Sequence, residues 1–136
     1  MNAAPSQTPA SASETSDEEL AQRAAEVATS WVSADISLSK EQEWDLVALQ
    51  HAGSSQGEMH AFDRICAWQR QLVQRLAAAG DSAEGRDCAA EARSEAVSQM
   101  RDMFLSGIRS AEWLNKTRIH PVDPRAELRA LISRSR

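Results

Sequence analysis

Residues 58–80, EMHAFDRICAWQRQLVQRLAAAG, decide the fold. At about 100° per residue on a helical wheel, Phe62, Ile65, Cys66, Leu72, Val73 and Leu76 gather on one face. His60 points the other way, among Arg64, Gln71 and Gln74. No alternation of strand type competes with this period, and Gly80 is suited to a left-handed stop. The stretch is expected to be a long amphipathic helix, the third in the chain. Ser55 and Glu58 in "GSSQGE" would form a capping box at its start.

The same residues raise a question of chemistry. Glu58, His60, Asp63 and Cys66 are all metal-ligand types, yet the wheel disperses them. Cys66 belongs to the apolar face, Asp63 to its flank, His60 to the polar side, and Glu58 to the first turn, where a carboxylate suits the helix N-terminus. A carboxylate-bridged site in a bundle needs inward-facing Glu-x-x-His pairs on two helices, and zinc needs closely paired ligands. His51, His60 and His120 share no helical turn. No metal and no cofactor is expected, and the stretch reads as the edge of a core. Gln69 stands out because it falls on the apolar face between Phe62 and Val73. A buried amide needs partners, so it is expected at the rim or setting register against another helix or subunit.

Working outward, "GDSAEGRD" (residues 80–87) reads as a turn, after which a fourth helix runs from about Asp87 to Asn115. Val97, Met100, Phe104, Ala111 and Leu114 give it an apolar seam, with Gly107 where two backbones can approach closely. "KTRIHPVDP" (residues 116–124) breaks it, and Asp123 followed by Pro124 opens a short fifth helix carrying Leu128, Leu131 and Ile132. Towards the N-terminus, "SKEQ" (39–42) is a capping box for a second helix. Its expected inner side is Trp44, Val47, Ala48 and His51, with Leu46 and Leu49 near it and Gly53 as left-handed cap. "SDEE" (16–19) opens a first helix through Leu20, Ala24, Val27 and Trp31, fading near Asp35.

The four main helices carry one tryptophan each: Trp31, Trp44, Trp68 and Trp113. Each is expected to anchor a shared core. The fold class is therefore all-α: a helical bundle of four main helices, the third and fourth forming a long antiparallel hairpin, with a short C-terminal helix. Residues 16–136 form one helical domain. Residues 1–15, mostly Ala, Ser, Thr, Pro and Gln, cannot bury enough apolar surface to offset their ordering entropy and are expected to be a disordered tail. Such a tail also suits the uncleaved signals that specialised bacterial secretion systems accept.

Charge is unevenly placed. Residues 1–50 hold nine acidic against two basic side chains, whereas residues 101–136 hold four against eight. An acidic front and a basic end suggest self-pairing, or a partner that reads the C-terminal segment. There, Arg118, Arg125 and Arg129 could pair carboxylates or phosphates, but no aromatic is present to stack bases. Two cysteines make no disulfide framework, and Cys66 and Cys88 fall at levels about 10 Å apart along the hairpin, too far to bridge. Cys88, expected in the first turn of its helix, is the best nucleophile candidate, although Asp87 beside it opposes a thiolate. No phosphate-cradling glycine loop and no nucleophile elbow occurs.

The expected function is a non-enzymatic interaction module: a small acidic adaptor, chaperone or regulator. The alanine- and arginine-rich composition points to a bacterium or phage. It would act in the cytoplasm through bundle faces on a protein partner or on a second copy as a dimer, with no membrane contact. Gln69, Arg118, Arg125 and Arg129 are the partner-binding candidates. The alternatives are a nucleic-acid-associated regulator using the basic end and a thiol enzyme using Cys88.

Overall fold

The computed structural model describes residues 16–51 and 55–134, the side chains of 51 and 55–57 excepted. Among them are five helices and no strand: α1 (Asp17–Ser30), α2 (Lys40–His51), α3 (Ser55–Ala79), α4 (Ala83–Asn115) and α5 (Pro124–Ser133). The expected tail at 1–15, the Gly53 cap and the Ser55 half of the third capping box lie outside the described residues. The chain is an all-α bundle in which α4 touches every other helix; α1 and α5 also pack on each other, as do α2 and α3.

Local chemistry sets the helix starts. Ser16 accepts from the Glu19 amide at 3.1 Å. Ser39 accepts from the Gln42 amide at 3.1 Å. The Gln42 side chain in turn accepts from the Ser39 amide at 2.8 Å, closing the box in both directions. Asp123 caps α5 by accepting from Ala126, with Pro124 in the first turn. Gly80 takes the left-handed conformation, φ 74°, that ends α3.

The fourth helix starts earlier than its glycines suggest. Ser82 is the N-cap, accepting from the Gly85 amide at 2.9 Å, so the turn is only Gly80, Asp81 and Ser82. Gly85 lies inside the first turn because a Cβ there would collide with the Ala79 carbonyl. A Cβ would also lie 2.8 Å from the Gly80 carbonyl oxygen, so this glycine lets the chain fold back tightly through the turn.

Packing follows small residues and one large one. Ala21, Ala24, Ala25 and Ala28 of α1 are fully buried, allowing close approach to α4. Arg93 of α4 donates to the Thr29 and Val32 carbonyls at 3.4 and 3.1 Å, tying α4 to the end of α1, where the Thr29 carbonyl also accepts from the Val32 amide. In the α3–α4 hairpin, Trp68 is buried and its indole donates to the Ala96 carbonyl at 2.9 Å. Gly107 is where α4 meets the end of α2: a Cβ would overlap the Leu49 carbonyl oxygen and sit 3.2 Å from Gln50 Cα. Beside it, Gln50 is buried with its amide nitrogen only 4.0 Å from Met100 Sδ, and its Oε1 has no partner among the described residues. An unmet buried acceptor costs about 1–3 kcal/mol.

Two expectations about inner faces need correction. On α2 the buried residues are Leu46, Val47, Leu49 and Gln50, while Ala48 is exposed; the face is turned towards a glutamine whose polarity favours the outside. The tryptophans do not each anchor the core. Trp68 does and Trp31 is half-buried, but Trp44 and Trp113 are 50% and 68% exposed. Tryptophan is rarely buried completely, and Trp44 is covered on one side by Phe62 of α3.

Candidate interaction surface

Helix α3 is covered on two sides, and the site arises where the second cover is incomplete. Ala61, Ile65, Trp68, Leu72 and Leu76 are buried, with Trp68, Leu72 and Arg75 lying beside Ala92, Glu95 and Ala96 of α4. One position round, Phe62, Cys66, Gln69 and Val73 are half-buried. Here α2 crosses them, and Gln69 meets Glu43. Trp44 stacks on Phe62 with centroids 5.7 Å apart and planes at 28°. Beyond that stack the cover stops. Trp44, Glu58, Met59, Phe62 and Asp63 line an open cleft of about 150 Å³, and Met59 is 72% exposed.

The cleft is apolar at its floor and acidic at its rim. Asp63 is exposed and forms no ion pair among the described residues. The cleft's volume lies below the roughly 300–1,000 Å³ of small-molecule sites, leaving room for one or two apolar side chains. Cys66 is one turn along the helix from Phe62. Burial first, and the Glu43 and Asp63 carboxylates next, push its thiol above the usual range, with Arg70 opposing. Such a thiol stays protonated at neutral pH and acts as packing. Among the described residues no three His, Cys, Asp or Glu side chains come together to hold a metal ion.

The residues nominated from sequence scatter. Gln69 is engaged within the chain: its Oε1 accepts from the Leu38 amide and its Nε2 donates to Glu43 at 3.4 Å, so it joins α3 to the connection before α2. Arg125 grips Asp17 with both arms, at 2.7 and 2.9 Å, and reaches Glu112 at 2.8 Å. Arg134 pairs with Asp45 at 2.8 Å. The acidic front and the basic end thus meet inside one chain. Arg118 lies 3.4 Å from Asn115 Oδ1, and Arg129 is exposed. Cys88 is exposed in the second turn of α4, beyond the amides of the first, because the helix begins at Ala83. Both cysteines are unpaired.

Two other surfaces carry polar or apolar groups to the exterior. A polar groove of about 300 Å³ lies between α1 and α4, lined by Gln22, Glu26, Ser94, Val97, Ser98 and Arg101; the arginine is already engaged by Gln22, Ser98 and Asp102. After α4, Asn115 clamps a loop through its side chain, donating to the Val122 carbonyl at 2.7 Å and accepting from the Val122 amide at 2.9 Å. That loop presents Ile119, 89% exposed, close in sequence to Trp113.

Met59 and Ile119 are not singled out by sequence reasoning. A signal for Met59 exists: it lies three residues before Phe62, on the side away from Ile65, where it carries the apolar surface past the buried core. No helix among the described residues is long and apolar enough to cross a membrane. No family model, curated protein or solved structure matches the chain.

Proposed function

We propose that the chain is a non-enzymatic protein-interaction module, a small adaptor or regulator, that takes an apolar side chain flanked by basic groups on a protein partner into the Trp44–Met59–Phe62 cleft. The observation that carries this reading is the contiguous exposure of Trp44 and Met59 around the stack on Phe62. Exposed apolar residues scattered singly are ordinary, whereas a cluster rimmed by charge marks a binding face. The acidic rim favours basic neighbours on the partner, through encounter rate and selectivity more than through affinity. With Arg125 and Arg134 engaged by carboxylates, the basic end offers a nucleic acid fewer cations than its sequence suggests.

The test is a titration of the isotopically labelled chain with a short peptide bearing one isoleucine among lysines, alongside its glutamate counterpart. The lysine peptide is expected to shift the Trp44 indole and Met59 methyl signals, and Asp63→Lys to weaken it. Equal response to both peptides, or shifts only at α1 and α5, would defeat the reading.

A further inference from the structure

We infer that the partner is a second copy of this chain, whose Asn115-clamped loop places Ile119 in the Trp44–Met59–Phe62 cleft of its neighbour. The inference rests on the cleft being an interaction site and adds its occupant. The chain carries both halves of such a contact. One half is an apolar cleft with Asp63 on its rim. The other is a loop on which Ile119 stands out from the fold, with exposed Lys116 and half-buried Arg118 on one side and exposed His120 on the other.

Size, charge and rigidity agree. A cleft of about 150 Å³ suits a single branched aliphatic side chain better than a helix face, which would need a longer groove. The cations beside Ile119 complement the acidic rim, so the charge asymmetry of the sequence that Arg125 and Arg134 do not consume finds a use between copies. The two Asn115–Val122 hydrogen bonds hold the loop in shape before any contact forms, which lowers the ordering cost of association. Because loop and cleft are different patches, a single contact is heterologous and builds an open row, whereas a reciprocated pair of contacts closes an isologous dimer.

Sedimentation equilibrium of the full chain over a concentration series, at low and high salt, tests this. Mass is expected to rise with concentration, and less so in high salt. Met59→Asp and Ile119→Asp alter exposed side chains, so both variants should keep the helical circular dichroism of the parent. Each alone should weaken association at least about tenfold, a loss of about 1.4 kcal/mol. Mixed together they should form a two-chain complex that grows no further, since one supplies an intact loop and the other an intact cleft. A parent that stays monomeric throughout, or an association untouched by either substitution, overturns the proposal. If that monomer still shifts Trp44 with the lysine peptide, the cleft reading stands and only the second copy is lost; silence to the peptide removes both.

Discussion

At Gly107 two opposing effects meet in one side chain. Alanine is the better helix former by about 1 kcal/mol, which alone would make Gly107→Ala stabilising. Its Cβ would, however, overlap the Leu49 carbonyl, a backbone atom that cannot swing aside. Forced overlap in a packed core costs about 1–3 kcal/mol. The overlap should win. We expect a net loss of about 1 kcal/mol or more, read as a lower urea midpoint with unchanged slope. The site is legible in sequence because a glycine amid an apolar seam has few other uses. Gln50 is not legible: its position facing Met100 depends on how α2 is rotated, and nothing in its chemistry favours burial. Phe62 is an intermediate case. Its spacing reads as core, and it is half-buried, with Trp44 stacked on it at the edge of an open cleft.

Among the elements, α3 shows why faces are harder to read than ends. Caps are written in three or four adjacent residues, so Ser16, Ser39 and Asp123 declare themselves. A helix with neighbours on two sides has a broad inner surface. On α3 the wheel centres on the flank that α2 covers, including Cys66 and Val73, and passes over the α4-facing line of Ala61 and Trp68. The candidate cleft sits at the boundary of that broad surface, which is why the wheel does not single out Met59. Gln69 fastens α3 to the α2 side. Its Oε1 serves the amide of Leu38, itself buried. Gln69→Ala therefore strands a donor at a cost of about 1–3 kcal/mol. Hydrogen exchange at the Leu38 amide should accelerate at least about tenfold, well before amides in the middle of α4 respond. An unchanged rate there would show that water replaces the glutamine without loss.

For the whole molecule, the contact that joins beginning to end is Arg125 with Asp17 and Glu112. The hydrogen bond from Arg125 is the main cause that lowers the Asp17 pKa below the ordinary carboxylate value; burial opposes it and charge attraction adds to it. A carboxylate lowered on folding adds stability above its unfolded pKa and loses it as pH falls towards the folded value. Asp17→Asn should therefore cost stability at neutral pH and flatten the loss of melting temperature on acidification through the carboxylate range. Both side chains are about a third or more exposed. Screening by solvent therefore keeps the effect near about 1 kcal/mol or less. The same contact spans 108 positions of chain. During synthesis α1 leaves the ribosome before α4 and α5, the helices it packs against. Until then its alanine stripe has nothing to lie on, and an isolated helix of its 14 residues is marginal in water. These five helices should close from the α3–α4 hairpin outward, with α1, made before the rest, the last to find its place.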